Sequence, residues 1–384
     1  MSKKILLIIG ILIVLGVAAF LIFTEEPAGE GESRVGFSIR DFLPFGSSDS
    51  TTELPDGSNI NLDDEFGNIP VSASNQPIPR LRKISNEPTA GAAIWNVGTT
   101  TFVRWVEKGT GNVYQTSSAS VNIERLTNTT IPKIVRAFWL PDGSGFLAQT
   151  IIAETEIIET SFVALSRASI GANENLTPFT TRISKLPTGI KEISVSGDGK
   201  KIFYYTLTTS ANFYISNPDG TNEALVFTHP LTEWLPRYWV SNTSVLLQTK
   251  EGVGAPARFY NLNTATKTLT RASSPLASVL QNTFILLDKC ALPVGADSFV
   301  YCAVSDQTPA GTYPDDWYKG LVSTSDSLRQ IDTEHDVYYH TANLTSISGE
   351  KIDVVDLDVA TDQSHLIFRN KIDGFLWLLR ISDE

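Results

Sequence analysis

Partial copies of one short unit recur from residue 80 onward, and their spacing restricts the fold more than any other feature of the chain. The clearest copy is Trp139-Leu-Pro-Asp-Gly-Ser-Gly-Phe-Leu. It reads as the end of one strand, a tight turn and the start of a second strand. Pro fixes φ, Asp bonds its own backbone, and Gly supplies a positive φ. Trp95-Asn-Val-Gly-Thr-Thr-Thr-Phe-Val, Val195-Ser-Gly-Asp-Gly-Lys-Lys-Ile-Phe and Trp239-Val-Ser-Asn-Thr-Ser-Val-Leu-Leu align with it. Leu292-Pro-Val-Gly-Ala-Asp-Ser-Phe-Val and Val359-Ala-Thr-Asp-Gln-Ser-His-Leu-Ile are weaker copies. The six starts, 95, 139, 195, 239, 292 and 359, are 44, 56, 44, 53 and 67 residues apart. Those are β-propeller blade spacings with insertions.

Short polar strands recur between the copies and supply an outermost strand for each blade. They are Glu124-Arg-Leu-Thr, Glu174-Asn-Leu-Thr, Glu223-Ala-Leu-Val, Lys267-Thr-Leu-Thr and Leu328-Arg-Gln-Ile-Asp. The chain stops before a sixth, and Leu81-Arg-Lys-Ile-Ser, ahead of the first copy, resembles the fifth and can take its place. Closing the ring this way pairs edges that an open array would expose. An aromatic content of 10%, a single Met and no sustained helical period agree with β structure. The expected fold is an all-β, six-bladed propeller over residues 80–384, closed by an N-terminal outer strand.

What precedes the propeller is different in kind. Lys3 and Lys4 are followed by nineteen uncharged, mainly apolar residues, Ile5 to Phe23. At ~1.5 Å per residue that run crosses a ~30 Å hydrocarbon core. The flanking lysines and the following Glu25, Glu26, Glu30 and Glu32 leave residues 1–4 in the cytoplasm and export the rest. A cleaved signal peptide ending at Val17-Ala18-Ala19 is the rival reading, but the apolar run continues past Ala19. Residues 24–79 form an acidic linker in which Arg34 and Arg40 are the basic residues. Within it Phe37, Phe42 and Phe45 form an apolar patch that could dock a partner or simply collapse on itself.

Trp139-Leu-Pro-Asp-Gly-Ser-Gly and Val195-Ser-Gly-Asp-Gly-Lys-Lys-Ile-Phe resemble the TolB-type, WD40-like propeller repeat. The match is good in those two copies and degenerate in the other four. With Asn128-Thr-Thr-Ile-Pro and Pro314-Asp-Asp-Trp-Tyr-Lys-Gly, the layout also resembles uncharacterised membrane-anchored propeller proteins of candidate-phylum bacteria. The resemblance implies the fold and a place at the cell envelope. It brings no activity with it.

Function in a repeat protein sits where the repeat is interrupted. Two insertions stand out, at 305–320 and 333–350, and connections of their kind leave a blade on one face. The first holds Asp315, Asp316, Trp317 and Tyr318; the second holds His335, Tyr338, Tyr339 and His340. Aromatics beside carboxylates suit a carbohydrate or a peptide. The competing and favoured reading has Trp317 and Tyr318 packing the long loop onto the blade. Cys290 and Cys302 flank a potential hairpin and could form a disulfide in an exported domain. His229, His335, His340 and His365 are scattered, with His365 expected to be exposed at a blade turn.

The net charge of −12 argues against nucleic acid as a partner. No Gly-x-Ser-x-Gly, His-Glu-x-x-His, Walker loop or Gly-x-Gly-x-x-Gly is present. Asp353, Asp356 and Asp358 offer carboxylates near the propeller axis, but no calcium-loop signature accompanies them. No metal and no cofactor is therefore expected, and no enzymatic activity. These residues describe a single-pass protein of the plasma membrane whose extracytoplasmic propeller binds or scaffolds an envelope protein. The alternative is a carbohydrate-binding or carbohydrate-active propeller using the 305–320 and 333–350 face. A third reading is an envelope assembly factor recruited through Phe37–Phe45.

Overall fold

A computed structural model describes residues 77–381, apart from 153–156, 168–178, 231–233, 250–257, 273–285, 294–298, 306, 308–310 and 314. The chain divides into two compact units, Met1–Asn61 and Leu62–Glu384, and all the described residues belong to the second. The apolar run 5–23 and the patch at Phe37, Phe42 and Phe45 lie outside the described residues. Among the described residues no helix is long and apolar enough to cross a membrane.

The strands form six four-stranded antiparallel sheets, five of them built from strands consecutive in sequence. Blade one is β2 (Thr89–Val97), β3 (Thr100–Glu107), β4 (Val113–Ser117) and β5 (Glu124–Arg125). Blade two is β6 (Ile134–Trp139), β7 (Gly145–Ile151), β8 (Ile158–Arg167) and β9 (Phe179–Lys185). Blade three is β10 (Ile190–Val195), β11 (Ile202–Leu207), β12 (Ala211–Ser216) and β13 (Ala224–His229). Blade four is β14 (Trp234–Ser241), β15 (Ser244–Thr249), β16 (Arg258–Asn263) and β17 (Thr268–Arg271). Blade five is β18 (Cys290–Ala291), β19 (Phe299–Ser305), β20 (Asp326–Asp332) and β21 (Val337–Asn343). Blade six takes β22 (Val354–Val359), β23 (His365–Asn370) and β24 (Leu376–Arg380) from the end of the chain, and β1 (Leu81–Lys83) from its beginning. Leu81 pairs with Leu379 and Lys83 with Trp377, so the N-terminal strand closes the ring.

Burial explains why the middle strands read as apolar runs rather than as alternating ones. In β7, Phe146 and Ala148 pack toward blade one while Leu147 packs toward blade three. Both faces of each blade are therefore interior. Six apolar clusters among the described residues fill the six joints between neighbouring blades. The last of these, joining blade six to blade one, contains Ile94, Val103, Trp105, Ile367 and Leu378. An open array would leave that set in water.

The repeated turn has one mechanism in three copies. Asp142 Oδ1 accepts from the Ser144 amide at 2.9 Å, Asp198 Oδ1 from Lys200 at 3.1 Å, and Asp362 Oδ1 from Ser364 at 2.9 Å. Each carboxylate thereby closes the turn between the first and second strands. Gly143 has φ +66, and a Cβ there would lie 2.7 Å from the Trp95 ring of the preceding blade. Turn chemistry and inter-blade packing thus both require glycine. The first residue of the copy pairs with the eighth in four blades: Trp95 with Phe102, Trp139 with Phe146, Val195 with Ile202 and Val359 with Leu366.

Four sequence expectations need correction. Leu328-Arg-Gln-Ile-Asp belongs to β20, the third strand of blade five, and β21 is the outer one. Leu328 and Ile331 are fully buried, which suits a middle strand, whereas in β21 only Ala342 is buried. The segment 333–350 is consequently not an insertion: it is the β20–β21 turn, an outer strand and a short helix. In blade two the outer strand is Phe179–Lys185, while Glu174–Thr177 falls outside the described residues. Finally, His365 is half-buried rather than exposed.

Candidate functional site

The 2–3 connection of blade five and the link from blade five to blade six leave the propeller on one face, and the structure ties them together there. The first contains a single helical turn, α1 (Asp315–Tyr318). The second contains α2 (Leu344–Ser348), capped by the Asn343 side chain accepting from the Ser346 amide at 2.9 Å. Ser325 Oγ and Thr345 Oγ1 are 2.8 Å apart, and Lys351 Nζ donates to Ser323 Oγ at 3.0 Å.

The insertion folds back on itself before it packs. The Thr312 amide donates to Asp316 Oδ2 at 2.8 Å, and the Asp316 amide donates to the Thr312 carbonyl at 2.9 Å. Gly311 has φ +115, and a Cβ there would sit 2.7 Å from that carboxylate, so a side chain would break the closure.

Under this loop lies a buried charged cluster. Trp317 is 1% exposed, and its Nε1 donates to Asp353 Oδ1 at 2.8 Å and Oδ2 at 3.0 Å. The ammonium groups of Lys289 and Lys371 lie 5.0 and 4.7 Å from the indole centroid. Lys289 Nζ donates to Asp326 Oδ2 at 2.5 Å, Thr324 Oγ1 at 2.6 Å and Asp353 Oδ1 at 2.7 Å. Thr324 in turn donates to Asp353 Oδ1 at 2.7 Å. Lys289, Asp326 and Asp353 are all at most 2% exposed.

Two carboxylates around one ammonium cannot be equivalent. Burial pushes the Asp326 carboxyl upward despite Lys289, and its Oδ1 has no hydrogen-bond partner. Burial also works against the Asp353 carboxylate, yet Lys289, Trp317 and Thr324 together hold it below the usual range. Of the two carboxyl groups on Lys289, Asp326 is therefore the more readily protonated. Burial, reinforced by the nearby carboxylates, likewise pushes the Tyr313 phenol up and keeps it neutral.

The sequence-derived site residues accordingly separate. Trp317 faces inward and anchors the loop; Asp316 closes it. Asp315 is half-buried in the first turn of α1. Tyr318 is 43% exposed, and its hydroxyl donates to Asp288 Oδ2 at 2.6 Å. Tyr338, Tyr339 and His340 stand on β21 opposite Ile331, Gln330 and Arg329, on the rim of the blade rather than in a loop. Tyr338 packs toward blade four, while Tyr339 and His340 are exposed. His335 sits in the β20–β21 turn on the other face, 2.9 Å from Asp332. Cys290 and Cys302 are register partners at the first two strands and are joined as a disulfide. Asp356 and Asp358 do not share a regular strand face, because a bulge falls between Val355 and Asp358. Asp356, at φ +53, pairs with Arg369 at 2.5 Å. Among the described residues no group of His, Cys, Asp and Glu is arranged to hold a metal ion.

Beside the exposed Lys319, Glu350 and Lys351, these connections present large apolar side chains to solvent. Tyr318, Leu321, Ile347 and Ile372 are 43, 71, 41 and 50% exposed. All four lie on connections that open on this face, Ile372 being in the β23–β24 turn beside Lys371. Lys289 sits in a 3₁₀ turn (Leu287–Lys289) with no motif around it, so nothing in its local spacing marks its role.

No protein-family model matches the chain, and no curated protein matches it. Similar folds are found among solved structures. TolB from Acinetobacter baumannii is 9% identical, with 71% of this chain and 60% of that one covered and a TM-score of 0.40. The Swd1 β-propeller domain of Myceliophteria thermophila is 9% identical, with 79% and 100% covered and a TM-score of 0.43. The oligogalacturonate lyase of Vibrio parahaemolyticus is 7% identical, with 81% and 96% covered and a TM-score of 0.44. This chain thus spans about three-fifths of the TolB chain. The assignment of six blades rests on this chain's own strand pairing.

Proposed function

We propose that this protein is a membrane-tethered propeller that binds a protein partner at the cell envelope through the blade five–six face, without catalysing a reaction. The observation carrying this reading is the group Tyr318, Leu321, Ile347 and Ile372, exposed on connections held rigid by the Trp317–Asp353–Lys289 cluster. Single exposed apolar residues are ordinary; several on one fixed face mark an interaction surface. Rigid presentation lowers the ordering cost of association. The tether is read from the sequence of residues 5–23 and their flanking charges. The resemblance to membrane-anchored propeller proteins supports the same placement.

Replacing Leu321 and Ile347 together by Asp tests the reading. The expected result is loss of a co-purifying envelope protein while the melting temperature is kept. Retention of the partner by the double variant contradicts it, as does binding of an oligosaccharide that depends on the same residues.

A further inference from the structure

On the opposite face, the joint where the ring closes holds a cleft of about 260 Å³. Its walls come from β1, β24, the start of β23, the β2–β3 turn and the end of β4. Among the described residues Arg80, Arg82, Arg380 and His365 line it, and no Asp or Glu does. In a chain of net charge −12 that concentration of guanidinium groups stands apart.

The arginines differ in how they are held. Arg80 donates to the backbone carbonyls of Arg380, Thr341 and Ile381 and fastens the incoming chain to blades five and six. Arg82 donates to the Ser117 and Ser120 carbonyls of blade one at 2.7 and 2.6 Å. Neutral carbonyls fix that fork without compensating its charge. Arg380 has no such bonds among the described residues, and its Nε is buried without an acceptor. A carboxylate or phosphate in the cleft matches the terminal amino groups of such a guanidinium fork. His365 contributes a neutral ring. Burial pushes it down to about 4, with Asp362 opposing and Arg380 and Arg82 adding to the shift. Its Nδ1 faces Ser364 Oγ at 2.8 Å and Thr101 Oγ1 at 3.2 Å.

We propose that this cleft is a binding site for a small oxyanion, a carboxylate or phosphate group gripped by Arg380 with Arg82 fixed beside it. Occupancy would bridge β24, β1 and blade one, so the ligand would lie across the closure of the ring.

Calorimetric titration of the full chain in detergent, at physiological ionic strength, tests the proposal with inorganic phosphate and with citrate. At least one probe is expected to saturate a single site. Arg380→Ala is expected to weaken that binding tenfold or more, Arg380→Lys less, and Lys191→Ala, on another blade, less than twofold. The response to the two probes separates phosphate from carboxylate recognition. Failure of both probes to saturate overturns the proposal, as does wild-type affinity in a folded Arg380→Ala or Arg380→Lys chain. A chain ending at Ile381 adds a further check. If it alone binds, the cleft is the seat of the chain's own Asp383 and Glu384, and the proposal of an external ligand fails.

Discussion

Lys289 directs its ammonium hydrogens at three acceptors inside the protein, and that geometry decides how the blade five insertion behaves. Removing one partner of a buried ion pair leaves the other charge uncompensated. Lys289→Met is therefore expected to lower stability by about 3–5 kcal/mol in denaturant unfolding. Trp317→Ala should cost a similar ~3–5 kcal/mol through the lost packing of a buried indole. A ligand-contacting Trp317 would instead lose binding with stability intact. Asp358 gives a pH-dependent case. Its side chain is exposed, yet the chain crowded around it pushes its carboxyl up to about 6, with the Val359 amide opposing; water at the exposed edge makes the resulting stability effect small. Because the folded value is raised, ionisation in the folded state is disfavoured, and stability is lost as pH rises through about 6. Asp358→Asn should stabilise the protein at pH 7, with the gain shrinking below about 6 and absent below about 4, near the unfolded value. Thermal melts of both proteins across that range check the sign.

Among the elements, the repeated turn was legible because its chemistry is local. Asp142, Asp198 and Asp362 each bond a backbone amide two residues on, and that pattern can be read from spacing alone. Blade five was misread for a physical reason. Leu328-Arg-Gln-Ile-Asp and Leu81-Arg-Lys-Ile-Ser look alike because each places its Leu in one shared inter-blade cluster and its Ile in another joint. One is a third strand and the other a fourth, and side-chain alternation does not record strand order. Tyr338, Tyr339 and His340 looked like a loop site because an outer strand is exposed and tolerates polar aromatics. The Lys289 cluster was illegible: its members are separated by up to 64 residues and meet only after the blades close. Cys290 and Cys302 enclose a short loop, and loss of their bond by Cys302→Ser should cost about 3 kcal/mol. Mass spectrometry of alkylated protein checks the bond itself; two modified thiols without reductant would refute it.

At the scale of the molecule, six joints between blades and one strand borrowed from the N-terminal side make the ring a single closed unit. Deleting residues up to 85 removes β1 and bares the edge of β24 to other chains. Such a chain should associate and lose its single cooperative unfolding transition, which light scattering and calorimetry report. The ring also separates two faces with different chemistry. One presents Tyr318, Leu321, Ile347 and Ile372 on clamped connections; the other holds the arginine cleft at the closure. The decisive measurement is photocrosslinking in the native envelope from a reactive side chain placed at Leu321 or Ile347, with Ile183 and Leu225 on other outer strands as controls. The expected result is one common protein adduct from the first two positions and none from the controls. Equal adducts at all four positions, or none at Leu321 and Ile347, would contradict a partner-binding role for this face.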